Sequence, residues 1–392
     1  MEKLIVKNFG AIRKIEVQLK DLTVFIGETG TGKSTLAKLV SIFRSTDFWE
    51  GDVRHVEFFA EKLCYYQIAN FLEQSTYIEY QSEIGFYFIY NEGEVRQNFL
   101  KILLKYLEKN TSSQTIEGNK ISNFIKSMEE VKISNSTKNL VRSVFKEVIY
   151  FPAERSVVSF LSPKYAALER EKLIGLFPEI LLDFTGTFNK ASSVIEKLYI
   201  GLFDVTYQKE NGKDYIILPN GKKLLLSESA SGFQTVIPAL IVFDYFSQDE
   251  IKKSYTFEEP ELNLFPMAQK SLVELLAEKV LNHGHKMIIT THSPYVHAPI
   301  NNLLFASKIQ TEYPESTEKL IEVTGLNSFI SSSDIAFYYL SNEENVDDCS
   351  VNLIDKDTGL IPENALDNTS DEIMDVFDSL MSVYREFKRT NN

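Results

Sequence analysis

Residues 21–43 read DLTVFIGETGTGKSTLAKLVSIF. Leu22 to Ile26 make an apolar run of strand length, and Leu36, Leu39, Val40 and Phe43 recur at i, i+3, i+4 and i+7, the spacing of one helical face. Between the two, Gly27, Glu28, Thr29, Gly30, Thr31, Gly32, Lys33, Ser34 and Thr35 fit G-x-x-x-x-G-K-[ST] without a gap. These residue types suit phosphate chemistry. Glycines let successive backbone N–H groups turn inward around the β- and γ-phosphates, Lys33 meets their charge, and the Ser34 hydroxyl binds Mg²⁺. The following helix aims its amino terminus at the same anion. A nucleotide is the ligand implied, although the loop alone does not select among nucleotide-binding families.

Two distant stretches add chemistry. Residues 254–266, SYTFEEPELNLFP, end the apolar run Tyr255 to Phe257 in two adjacent carboxylates and stop it with Pro260. A charged turn is the plain reading. In a phosphate-loop ATPase, however, the first carboxylate (Glu258) holds the metal's water shell and the second (Glu259) is the base that orients the attacking water. Residues 286–295, KMIITTHSPY, carry the β-branched run from Ile288 to Thr291 and then His292, an imidazole at the carboxyl end of a parallel strand, where ligands collect. His55, His283, His285 and His297 read as structural or surface histidines. The soft run SESASGFQT at 227–235 would pass for a loop on its letters alone.

Composition bounds the rest. The 44% hydrophobic content supplies a buried core across the 392 residues. With 55 acidic and 41 basic residues the net charge is −14, so nucleic acid is a possible partner that the charge does not indicate. The two cysteines, Cys64 and Cys349, form neither a disulfide framework nor a CxxC site. No signal peptide is read, and no run approaches the ~18 apolar residues of a membrane helix. The expectation is a cytoplasmic protein with no membrane contact.

GETGTGKST, ASGFQ, FEEPELNLFP and TTHSPY, in that order, resemble the phosphate loop, signature motif, acidic strand motif and switch histidine of ABC-type ATPases. The resemblance implies an α/β fold: an ABC-type P-loop ATPase head with a mixed or parallel sheet core, an antiparallel β-subdomain and a mainly helical insertion. It implies ATP and Mg²⁺ as cofactors, ATP hydrolysis as the reaction, Ser34 and Glu258 at the metal, and Glu259 and His292 in catalysis. It also implies that Ser231, Gly232 and Gln234, at the start of a helix, face the γ-phosphate held by a second copy, in a homodimer or higher even oligomer. It further implies that Glu261 to Leu264 form the loop that contacts the second copy, with Asn263 facing that copy or, on the plainer reading, an ordinary loop residue.

About 200 residues separate Lys33 from Ser231, which disfavours a transporter ATPase and leaves room for an extra domain. LIVKNFGAIRKIEVQL, YFPAERS and the EEPE form resemble RecF, SMC-like heads and especially ATPases of prokaryotic antiphage defence, namely the overcoming-lysogenization-defect group and the ATPase subunits of Septu-like two-gene systems. That implies a sensor or regulatory subunit controlling a separate nuclease or toxin effector. A RecF- or SMC-like role in DNA repair or chromosome maintenance is the second reading. No TOPRIM nuclease is expected, because only about 100 residues follow His292, and Asp355 and Asp357 in VNLIDKDTG read as a turn. The sequence departs from the ABC pattern in lacking a glutamine loop. VIYFPAERS offers Glu154 and Arg155 at that place, the arginine either contacting phosphate or bracing the strand end.

Three segments follow. Residues 1–45 hold the first part of the head, 46–146 a mainly helical insertion with an aromatic strand candidate, GFYFIY, at 85–90, and 147–392 the remainder. The last includes a β-meander turning at Asn211-Gly212 and Asn220-Gly221 and an amphipathic helix from Ser370 to Arg389. Phe86, Tyr87, Phe88 and Tyr90 read as core residues within the insertion.

Overall fold

The structure, a computed structural model, describes residues 1–99, 147–165, 174–247, 252–342, 348–362 and 380–381. Its first elements are strands β1 (Glu2–Phe9), β2 (Ile12–Leu19) and β3 (Leu22–Gly27), then helices α1 (Lys33–Arg44), α2 (Thr46–Glu50) and α3 (Val56–Tyr65). Strands β4 (Leu72–Gln81), β5 (Tyr87–Asn91), β6 (Glu94–Gln97) and β7 (Glu147–Phe151) follow, with helices α4 (Val158–Leu161) and α5 (Glu179–Val194) after them. A meander of β8 (Lys197–Ile200), β9 (Val205–Glu210), β10 (Lys213–Ile217) and β11 (Lys223–Leu225) leads into α6 (Ser231–Ser247) and β12 (Lys253–Glu258). The described chain continues through α7 (Pro266–His283), β13 (Lys286–Thr291), α8 (His297–Glu312), α9 (Thr317–Thr324), β14 (Ile335–Leu340) and β15 (Ser350–Asn352).

The central sheet runs β15-β14-β3-β13-β12-β7, parallel throughout except for the antiparallel edge strand β15. Side chains on a strand alternate between faces, and here the alternation divides the core in two. Leu22, Val24 and Ile26 of β3, with Met287 and Ile289 of β13, pack into one apolar cluster with α5, α6, α7 and α8. Phe25 and Ile288 point the other way, into a cluster built around α1. Continuous burial of β3, β12 and β13 is what a parallel sheet covered on both faces requires.

Helix α1 lies between that sheet and a second, antiparallel one of order β2-β1-β4-β5-β6, and 10 of its 12 residues are buried. Among the described residues of the insertion α2 and α3 are helical, and the strand candidate at 85–90 is met by β5, flanked by β4 and β6. Thr76, Ile78 and Tyr80, then Phe86, Phe88 and Tyr90, are buried at every second position, so the segment forms strands whose aromatic face closes over Phe43. Through β4, which pairs with β1, this described part of the segment shares a sheet with the amino-terminal strands. The amphipathic runs that suggested helices there, like the carboxyl-terminal helix, fall mainly outside the described residues.

A buried ion cluster joins the layers. Glu2 of β1 accepts from Arg44 Nε at 2.8 Å, at the end of α1, and from Lys286 Nζ at 2.9 Å, at the start of β13, while the Tyr80 hydroxyl donates to it at 2.9 Å. Burial alone would raise the Glu2 carboxyl, but Arg44 and then Lys286 hold it down at about 2. The meander is the antiparallel sheet β11-β10-β9-β8, and its first turn takes positive φ at Asn211 and Gly212. Among the described residues no helix is long and apolar enough to cross a membrane.

Candidate functional site

Because β3, β13, β12, β7 and β14 run parallel, Gly27, Thr291, Glu258, Phe151 and Leu340 all end at one edge of the sheet. The loop from Gly27 to Lys33 sits there. Gly27, Gly30 and Gly32 take φ of 149°, 83° and 93°, the left-handed values that curl a backbone around an anion. A side chain at Gly27 would collide with the Leu340 carbonyl, and one at Gly32 would come within 2.5 Å of Ile12 Cγ1. The loop is braced by Thr31 Oγ1 donating to Glu28 O at 2.9 Å and Asn342 Nδ2 donating to Gly30 O at 3.1 Å. Helix α1 has no side-chain cap and no acidic residue in its first turn, which leaves its leading N–H groups to an anion.

Lys33 Nζ donates to Gly27 O at 2.8 Å and Glu28 O at 2.6 Å. Burial draws its pKa down to about 8 against the opposing pull of Glu259, Glu261 and Glu28. His292 Nε2 lies 2.7 Å from Glu259 Oε1, and its Nδ1 lies 3.0 Å from Gly27 O and 3.2 Å from Lys33 Nζ. A proton on Nδ1 serves the carbonyl; a lone pair there serves the ammonium. Glu258 is buried at the end of β12, where the Tyr150 hydroxyl donates to it and Lys38 Nζ stands 3.9 Å away. Burial pushes the Glu258 carboxyl up, against the pull of Lys38 and Tyr150.

Beyond β12 the chain turns sharply. Glu259 and Asn263 take φ of 44° and 63° without being glycine, a conformation that its surroundings must hold. The Glu259 N–H donates to Thr290 O at 2.9 Å. The buried Glu261 accepts from Thr291 Oγ1, which itself accepts from the Ser293 N–H at 2.9 Å, so the turn is tied to the residues on either side of His292.

Arg155 does not face the phosphate loop. It is fully buried, and its guanidinium donates only to carbonyls in the bonds recorded: Pro152 at 3.0 Å, Glu258 at 2.6 Å, Glu259 at 2.6 Å and Thr235 at 3.2 Å. Ser231 and Gly232 open α6 beside the turn after the acidic pair, where a side chain at Gly232 would come within 2.9 Å of Asn263 O. Gln234 folds back, donating to Ser227 O at 3.2 Å and Ser229 O at 2.8 Å. The Asn263 amide donates to Thr235 Oγ1 at 3.0 Å, a partner within its own chain. The structure therefore gathers the phosphate loop, Glu258, Glu259 and His292 at one place, sets Gly232 against the neighbouring turn, and turns Gln234 back onto Ser227 and Ser229.

Tyr150 and Asn342 were not singled out as site residues from sequence, because each is identified only by a partner distant in the chain. The Asp355 turn takes the form expected of it: Oδ1 accepts from the N–H groups of Asp357 at 3.1 Å and Thr358 at 2.7 Å. Among the described residues no group of three His, Cys, Asp or Glu side chains could hold a metal by itself. What is present fits a cation that arrives with phosphate: one hydroxyl, Ser34, and one carboxylate, Glu258, both hard oxygen donors of the kind Mg²⁺ shares with a nucleotide.

Among solved structures the chain is similar to the SMC head domain from Thermotoga maritima, with 14% identity, 76% of this chain and 90% of that one covered, and a TM-score of 0.37. It is also similar to the Smc head domain from Pyrococcus furiosus with an extended coiled coil, bound to the C-terminal domain of ScpA. That comparison has 12% identity, covers 97% of this chain and 100% of the other, and gives a TM-score of 0.39. No curated protein matches. A family profile described as the AAA ATPase domain matches residues 1–156 and 55–296, a span that holds the phosphate loop, the acidic pair and His292. With three quarters of its length inside that match, the chain belongs to the AAA ATPase domain family.

Proposed function

We propose that the chain binds and hydrolyses ATP·Mg²⁺ as an ABC-type head that pairs with a second copy, and that this cycle controls a separate nuclease or toxin effector in antiphage defence. The observation that carries the ATPase reading is the contact of Glu259, His292 and Lys33 at the mouth of a glycine-rich phosphate loop. When bound, ATP·Mg²⁺ supplies the γ-phosphoryl group and a cation that offsets charge on its oxygens. The protein's own groups do the rest. Leading N–H groups of α1 and Lys33 orient the phosphates, with Ser34 and Glu258 on the cation side. Glu259 accepts the proton of the attacking water, and His292, within 2.7 Å of that carboxylate, holds it in place.

Pairing is supported by the exposure of Ser231 and the half-exposure of Gly232 at the start of α6, which leaves them open to a second copy. Control of a separate effector rests on the motif resemblance and on the net charge of −14, which opposes a primary role on DNA. The experiment is to purify tagged Glu259→Gln protein from its native host, where slowed turnover holds the ATP state, and to identify the chains that come with it. A nuclease- or toxin-like chain is the expected companion. Recovery of only repair proteins and DNA would overturn effector control in favour of genome maintenance.

A further inference from the structure

We propose that Arg155 is a positioning residue that locks the backbone of Glu259 to Thr235 near the start of α6, so that movement of the signature helix is passed to the catalytic carboxylate. This rests on the ATPase reading above. Arg155 is the side chain that bonds both parts: Nε takes the Thr235 carbonyl in α6, Nη1 the Glu258 carbonyl and Nη2 the Glu259 carbonyl, while Nη1 also takes Pro152 O in its own turn. Four carbonyls from three segments thus converge on one planar, fully buried group. A guanidinium has five donors in a fixed fork and serves such a set; an ammonium on a flexible stem cannot address all of them at once.

The need for a lock is visible in the turn itself. At φ 44° Glu259 sits where a side chain is disfavoured, by roughly 1–2 kcal/mol. Its N–H is fixed by Thr290 and its carbonyl by Arg155, so these two bonds set where its carboxylate projects. Two further contacts press the same turn onto α6: the Asn263 amide on Thr235 Oγ1, and the close approach of Gly232 to Asn263 O. Turn and helix therefore move as one block about Arg155. The recorded bonds of Arg155 reach no phosphate-loop residue, so its loss should leave nucleotide affinity alone and fall on turnover.

The test compares wild type, Arg155→Lys and Arg155→Met in four measurements: ATP affinity with a fluorescent analogue, steady-state turnover, thermal midpoint, and amide hydrogen exchange over residues 229–236 and 257–264. Arg155→Lys is expected to keep ATP affinity within about twofold while turnover falls about tenfold or more, the scale of loss that small misplacement of a catalytic group produces. Exchange should quicken in both segments together, and Arg155→Met should lose more turnover than the lysine variant. Unchanged turnover in Arg155→Lys, with wild type active, overturns the role of Arg155 alone. Parallel loss of affinity, turnover and thermal midpoint overturns it too, in favour of a general brace, as does faster exchange in only one segment. Absence of turnover in wild type overturns the ATPase reading and this inference with it.

Discussion

At the scale of single residues, the glycines of the phosphate loop differ in what they prevent. Gly27 faces the backbone of Leu340, which cannot move aside without opening the sheet, whereas nothing lies within 4 Å of a side chain placed at Gly30. Both have positive φ. Gly30→Ala is therefore expected to cost only the left-handed strain, about 1–2 kcal/mol, while Gly27→Ala costs well beyond that because strain and collision add; chemical denaturation of the two variants checks the order. These glycines, with Lys33 and Ser34, were legible in the sequence because their chemistry is written in consecutive residues. Tyr150 was not. Its role depends on Glu258, 108 residues away in the chain, and on the parallel pairing of β7 with β12 that no local spacing announces.

At the scale of elements, the turn between β12 and α7 joins α6 to the acidic pair, and Asn263 permits the two effects there to be separated. Its amide bonds Thr235, and its backbone sits at φ 63°. Asn263→Gly removes the hydrogen bond but relieves the backbone; Asn263→Ala removes the bond and keeps a side chain where none is favoured. The alanine variant should be the less stable by about 1 kcal/mol, and equal stabilities would show that the turn is not held in that conformation. Elements with a strong local period were readable: β3 by its apolar run, α1 by its i, i+3, i+4 face, the meander by its Asn-Gly turns. Strands β4 to β6 were not read as part of the head. Their aromatic alternation is clear in Phe86, Phe88 and Tyr90, but the helix they cover, α1, lies far upstream, and only the fold shows that those rings close over Phe43.

At the scale of the molecule, Glu2 joins the antiparallel sheet, α1 and the central sheet through Arg44 and Lys286. The folded carboxyl titrates at about 2 and the free one at 4.5, so between these values the unfolded chain holds more protons. The ion cluster's contribution is thus full above 4.5 and lost as pH falls from there toward 2, about 3 kcal/mol in all. Glu2→Gln, which leaves the buried Arg44 without its carboxylate while Lys286 keeps Glu83 at 2.5 Å, should destabilise the protein by about 3–5 kcal/mol at neutral pH and flatten the pH dependence across that window; denaturation series at several pH values check both. The proposed pairing belongs to the same scale, since it needs Ser231 and Gly232, open at the start of α6, to meet the phosphate loop of a second copy. The most direct test of the account is analytical ultracentrifugation of Glu259→Gln with and without ATP and Mg²⁺, alongside turnover by the same sample. The expected result is a monomer that becomes a dimer on addition of ATP and Mg²⁺, with nucleotide retained and turnover reduced at least about a hundredfold. A sample that stays monomeric with ATP bound, or that turns over like wild type, would contradict it.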